Sequence, residues 1–299
     1  MEKKIDLHIH TTMSDGALSP REVIDKAYDN GVRVMSITDH DTIDAYTDSL
    51  FEYARSKNIT LIPGVEISTK IEGYSFHVLG YNYDLDDTNF RNKLKELKTA
   101  RHTYLHEVSA KLTDLGYIVN TSKLDKIESV TKAHIANDII TNKENNKKLM
   151  SVFNRIPDKA LFIETIMNKG CPGYVKKLTI DPKEAVQLIR SAHGKAILAH
   201  PVAYDYEEKI DMADIKRLID YAGFDAIEGV YLYIDRFNNK INNIAKWINF
   251  ANKNKLYCSI GSDFHYEDDI HPDIGFKNEK LSIDDNFILE ILNYINEKN

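Results

Sequence analysis

The 299-residue sequence predicts an α/β fold, a parallel sheet or barrel interrupted by a mostly helical insertion. Three observations predict it. Short apolar segments alternate with amphipathic ones over the first 87 residues and again from residue 181, the pattern of strand–helix repeats. Between them, over about 88–169, strand character nearly disappears and the chain is helical and rich in Lys and Asn. Finally, unusual polar residues gather where the strands end, which is where parallel α/β folds build their sites.

The elements follow in order. IDLHIH (5–10) reads as the first strand. Ser19-Pro20-Arg21-Glu22 opens a helix: the serine caps, the proline suits the first turn and the glutamate occupies the capping-box position. VRVMSITDH (32–40) is a second strand, and residues 43–57 form a helix. ITLIPGVEIS (59–68) and GYSFHVLGY (73–81) are two more strands. Within the helical stretch only residues 116–119 suggest a strand. Asp181-Pro182-Lys183-Glu184 is a second cap of the same kind. After it come KAILAHP (195–201), a helix over 212–221, FDAIEGVYLY (224–233), a helix over 238–252, LYCSIGSDFH (256–265) and a terminal helix.

Composition sets outer limits. No apolar run approaches the roughly 20 residues that cross a bilayer, and MEKKIDLHIH lacks the apolar stretch of a signal peptide. With only Cys171 and Cys258, a disulfide framework is not expected; both thiols should be reduced, in a cytoplasmic protein. A formal charge of −7 argues against bulk affinity for nucleic acid. It leaves room for a small phosphorylated substrate held by metal ions and a few local cations.

The chemistry lies in nine side chains. His8 and His10 close the first strand two residues apart, so they share a face while Leu7 and Ile9 pack on the other. Asp15 follows in the loop, His40 ends the second strand, Glu66 the third, and His77 lies on the fourth. His200 ends KAIL, and Asp263 and His265 end the last strand. A single histidine beside a strand is usually core or surface, and a loop aspartate is usually a cap. Nine such donors at matching strand ends are another matter, because burying imidazoles and carboxylates together without cations is expensive. Mixed imidazole and carboxylate suits Zn, Mn or Fe, and the lack of thiolates removes a structural zinc site.

DLHIHTTMSDG, SITDHDT, GVEIS, FHVLGY, LAHP and GSDFH, in this order, resemble the motifs of the PHP (polymerase and histidinol phosphatase) superfamily, from residue 6 to about 266. The resemblance implies a distorted (β/α)7 barrel formed by residues 1–87 and 175–299, with 88–174 as a helical insertion covering the active site. It also implies two or three divalent ions. His8, His10, Glu66 and Asp263 would hold one; Glu66, His77 and His200 a second; Asp15, His40 and His265 a third.

Within the superfamily the layout is similar to stand-alone phosphoesterases that act on nucleoside 3′,5′-bisphosphates or trim short RNA from its 5′ end. The shared features are the insertion after HVLGY, His134 in TKAHIA, Gly173-Tyr174-Val175 and the SDFH ending. Lys132-Ala133, where many relatives have Arg-Pro, and Tyr266, where many have Gly, depart from that layout. The implied activity is one-step hydrolysis of a phosphomonoester by hydroxide generated at the ions, with Asp263 or His265 relaying a proton. Arg101, on the insertion helix, either reaches a second phosphate or is a solvated charge. His134 is a phosphate ligand candidate, Tyr174 stacks on a base or packs, and Lys176 and Lys177 are cationic candidates. His102, His106, His193 and His271 read as structural or exposed.

The expected partner is a small phosphorylated substrate, a nucleotide first and short RNA second, with neither a membrane nor an obligate protein partner. Competing readings are histidinol phosphate phosphatase, a non-catalytic metal- or nucleotide-binding domain, and a metal-dependent hydrolase of C–N bonds. The last class usually bridges its metals with a carboxylated lysine, and here Glu66 and His77 stand in that place.

Overall fold

Alternating strands and helices fold into a mixed α/β unit around one mostly parallel sheet. The computed structural model describes residues 4–297 apart from 128, 129, 177, 208, 236 and 282. Its strands are β1 (Lys4–Asp6), β2 (Val32–Ile37), β3 (Thr60–Ile71), β4 (Tyr74–Tyr81), β5 (Lys195–Leu198), β6 (Ala226–Val230), β7 (Tyr233–Ile234), β8 (Lys240–Ile241) and β9 (Tyr257–Ile260). Seven of them form one sheet in the order β1-β2-β3-β4-β5-β6-β9, and β7 and β8 make a separate hairpin.

Within the seven-stranded sheet only β4 runs against its neighbours. The cause is local. Glu72 and Gly73 alone connect β3 to β4, both at positive φ (52° and 99°), which is hairpin-turn geometry. A parallel connection needs a crossover of a dozen or more residues. The ladder runs open from β1 to β9. Beyond it, Leu7 N–H donates to Ile260 O (3.1 Å), Asp263 N–H to His8 O (2.9 Å) and His10 N–H to Phe264 O (2.9 Å). The chain leaving β1 is therefore bonded to the chain leaving β9.

Two apolar clusters hold this unit. Leu7, Leu79, Tyr81, Ile197 and Ile260 belong to one; Ile9, Ile24, Met35, Ile37 and Phe264 to the other. Ser19 and Glu22 form the expected capping box on the helix Pro20–Asp29, and Asp181 caps Pro182–Ser191. The second helix starts later than the pattern predicts, at Asp48, because Thr47 caps it by accepting from Leu50 N–H. Likewise the helix expected from 238 begins at Ile244, since Lys240 and Ile241 pair with β7.

Contacts within the chain define a second unit, residues 95–178. Helix Thr88–Asp114 leads into it, followed by Thr121–Leu124, Lys132–Thr141, Asn146–Phe153 and Lys159–Phe162. Its core gathers Leu105, Val108, Ile135, Ile139, Leu149 and Phe162. No strand forms at 116–119. Instead the Asn145 side chain accepts from Ile118 N–H (2.7 Å) and donates to Ile118 O (2.9 Å), doing for that backbone what a neighbouring strand would do. Among the described residues no helix is long and apolar enough to cross a membrane.

Candidate metal centre

All nine predicted donors belong to the sheet-bearing unit, and the fold brings them together. β1 stops at Asp6, so His8 and His10 lie just past its end. Their Nε2 atoms meet at 3.1 Å. Glu66 and His77 are not at strand ends: both lie inside the β3–β4 hairpin, where Ser68 opposes His77 and Glu66 opposes Leu79. Glu66 and His77 thus share a sheet face as diagonal neighbours. His200 follows β5 and Asp263 follows β9, and both have positive φ (24° and 55°). Non-glycine residues adopt that region at a cost of about 1–3 kcal/mol, and such strain clusters at active sites and ligand clamps.

Three groupings result. His8 Nε2 is 3.5 Å from Glu66 Oε2 and 3.2 Å from Asp263 Oδ1. His10 Nε2 is 3.2 Å from each of the same two oxygens. Glu66 turns its other oxygen, Oε1, to His77 Nδ1 (2.9 Å) and His200 Nε2 (3.1 Å), which are 3.3 Å apart. The third grouping is looser: Asp15 lies 3.5 Å from His265 Nε2 and from His10 Nδ1, and 3.8 Å from His40 Nε2. His40 also turns Nδ1 toward Glu66 Oε2 (3.1 Å).

These separations fit cations. Ligand atoms about 2.1 Å from one ion stand about 3.0–3.4 Å from each other, and the pairs of the first two groupings, from 2.9 to 3.5 Å, lie close to that spacing. The protonation pattern agrees. Burial alone would raise the Asp15, Glu66 and Asp263 carboxyls, yet the imidazoles around them hold all three below the usual carboxylate range. Burial would lower His10, but Asp263 and Glu66 draw it up to about 10. His40, pressed by burial and by neighbouring imidazoles, falls to about 3. Protons serve this cage unevenly; divalent ions would serve every donor at once. The Nδ1 of His200 is buried without a hydrogen-bond partner.

A supporting layer escaped the sequence reading. Glu228, fully buried in β6, accepts from His8 Nδ1 (3.0 Å) and from the His200 backbone N–H (2.9 Å). The bond puts the His8 proton on Nδ1 and frees Nε2 for an ion. His10 is set the same way: its Nδ1 meets Ser14 Oγ (3.3 Å), which donates to buried Asp39 (2.7 Å). His265 Nδ1 donates to Asp263 O (2.9 Å). Asp6 accepts from the backbone N–H groups of Ser262 (3.0 Å) and Gly275 (2.7 Å). Gly261 completes the layer, because a Cβ there would overlap His8 and Glu228. The sign in the sequence was a glutamate inside the otherwise apolar run AIEGV.

The substrate candidates belong to the helical unit. Arg101 is buried, its Nη1 reaching Val130 O at 3.5 Å. His134 forms a capping box with Thr131 at the start of Lys132–Thr141, its Nδ1 accepting from Thr131 N–H (3.1 Å). Tyr174 is half-buried and its carbonyl accepts from Lys111 (2.8 Å); Lys176 is exposed. Lys177 lies outside the described residues. His102 and His106, read as lacking neighbours, both approach Asp125 (3.6 and 3.1 Å).

The chain is similar to several known proteins. A PHP domain profile matches residues 6–255. A 5′-3′ exoribonuclease of Haemophilus influenzae is 31% identical over 268 residues, covering 89% of this chain and 91% of that one. A 3′,5′-nucleoside bisphosphate phosphatase of Chromobacterium violaceum is 28% identical over 275 residues, covering 91% and 90%. A solved structure described as an amidohydrolase from Chromobacterium violaceum, with bound sulfate and no metal, superposes with a TM-score of 0.73 at 28% identity, covering 91% of this chain and 90% of that one.

Proposed function

The chain belongs to the PHP domain family, and from that premise we propose that it hydrolyses a phosphomonoester of a small nucleotide, a nucleoside 3′,5′-bisphosphate foremost. The enzyme class itself, a metal-dependent phosphoesterase, follows from the family. The observation that carries the hydrolytic reading is the sharing of Glu66 between two donor sets, one oxygen to each; the similarity to a 3′,5′-nucleoside bisphosphate phosphatase supports the choice of nucleotide. Such sharing would suit two ions side by side, as phosphoryl chemistry uses them. The same reading takes the seven-stranded sheet as the distorted (β/α)7 barrel, its ends joined by the backbone bonds beyond β1 and β9.

His8, His10, Glu66 and Asp263 would hold one ion, Glu66, His77 and His200 a second, and Asp15, His40 and His265 a third. Bound there, Mn, Zn or Fe supplies Lewis acidity, bringing the pKa of water toward neutrality and offsetting charge on the phosphate. The protein's part is to orient. Glu228 and the Asp39–Ser14 pair fix the imidazoles of His8 and His10. Tyr231 donates to Asp263 Oδ2 (3.1 Å), which leaves Oδ1 turned toward the two histidines. Asp263 and His265 line the cavity over the donors, and in this reading one of them passes a proton to the leaving oxygen.

One observation favours a second reading, trimming of short RNA: residues 95–178 carry 15 Lys and Arg against 9 Asp and Glu, an excess suited to a longer polyanion. One assay tests both readings. Manganese-loaded protein is offered adenosine 3′,5′-bisphosphate, a short 5′-phosphorylated RNA, histidinol phosphate, an aryl phosphate and, as a C–N control, an N-acyl amino acid. Turnover of the bisphosphate above the others, abolished by a chelator, is expected. Amide hydrolysis without phosphate release would overturn the reading.

A further inference from the structure

Two cavities adjoin at the donor cluster. The larger, about 350 Å³, contains His40, Glu66, His77 and His200; the smaller, about 200 Å³, runs past Asp263 and His265 to Tyr266, His271 and Pro272. Tyr231, Tyr233, Asp263 and His265 line both, so a molecule whose phosphate sits over the donors has a side room for the rest of itself. From this we infer that the smaller cavity receives the uncharged heteroaromatic base of the departing nucleoside monophosphate, against Tyr266 and His271; the inference rests on the nucleotide-phosphatase reading above.

The walls decide the ligand class. Among the described residues lining the smaller cavity none is Lys or Arg, while Asp263 faces it. Asp263 and His265 belong to the donor sets, and beyond them the described walls offer a second phosphate no Lys or Arg. What the walls do offer is aromatic and aliphatic surface: Tyr231, Tyr233, Tyr266, Leu232, Ile234 and Pro272. Bases stack on such surfaces through their π-faces.

The far wall is also rigid. Asp268 accepts from the His271 backbone N–H and from its Nδ1, both at 2.7 Å. That clamp leaves Nε2 for a polar edge of the base. The Tyr266 ring meets the His271 imidazole edge-on, centroids 5.4 Å apart, and Tyr266 is 41% exposed, a large aromatic surface left open beside the site. Across the cavity, Tyr231 and Tyr233 are tethered to Asp263 and Glu207 (3.1 and 3.0 Å). Rigid aromatic walls at fixed spacing discriminate flat rings with little ordering cost.

The test compares kcat/KM for adenosine 3′,5′-bisphosphate with that for its abasic counterpart, 1-deoxyribose 3,5-bisphosphate, in the manganese-loaded enzyme. The base should favour turnover at least about tenfold, the scale of one stacked base. Tyr266→Gly should erase most of that ratio through KM, His271→Ala part of it, and Tyr266→Phe should preserve it. A ratio near one in the native protein, or one that Tyr266→Gly leaves unmoved, overturns the base site while the phosphatase reading stands. Hydrolysis of neither compound overturns the phosphatase reading, and the base site with it.

Discussion

The two units bury polar groups in opposite ways. In the helical unit, buried Arg101, Asp138 and Asn145 each find backbone partners: Val130 O, Asn120 N–H and Ile118. The Tyr104, Ser109 and Tyr117 hydroxyls are buried there as single uncharged groups without a partner, amid apolar side chains. In the sheet-bearing unit His8, His10, Glu66 and His200 are equally buried, yet they face one another rather than the backbone. The surfaces differ too. Residues 95–178 hold 15 of the chain's 39 Lys and Arg but only 9 of its 46 Asp and Glu, leaving 24 against 37 for the remainder. Burial alone therefore does not mark a site. What marks it is a set of imidazoles and carboxylates buried against one another, in the unit with surplus negative charge.

Substitutions can break or sharpen that contrast. The largest effect should come from Glu66→Gln, which removes the carboxylate shared by two donor sets. Turnover should fall about 10³-fold or more, and elemental analysis should find less metal bound; undiminished metal and activity would end the two-set picture. Phe162→Ala, in the core of the helical unit, should cost about 3–5 kcal/mol in urea unfolding while metal content holds. Loss of metal in that variant would show that the two units are energetically one. The smallest effect belongs to Glu228→Gln, which leaves the donors in place but weakens the hold on His8. Metal affinity, read by competition with a chelating indicator, should drop about 10- to 100-fold with the far-UV spectrum unchanged. No change would reduce Glu228 to a packing role.

Much of the fold could be read from local chemistry. Ser19 and Asp181 mark helix starts because a cap acts over two or three residues. The same locality explains where reading failed. Apolar periodicity carried the second helix back to residue 43, while the Thr47 side chain stops it at Asp48. Strand-like residues at 116–119 stay irregular because Asn145, distant in sequence, takes their backbone bonds. Glu228 and Asp6 went unnoticed as supports because their partners, His8 and Ser262, lie more than 200 residues away along the chain.

The sequence by itself determined which atoms are available: imidazoles and carboxylates in an order that matches the family's motifs. Tertiary structure alone decided how they combine. A two-residue turn reverses β4 and sets His77 beside Glu66, and the bonds past β1 and β9 bring Asp263 against His8 and His10. Residue identity is written one position at a time, but a coordination cage is a relation among distances, and distances between remote positions exist only once the chain has packed.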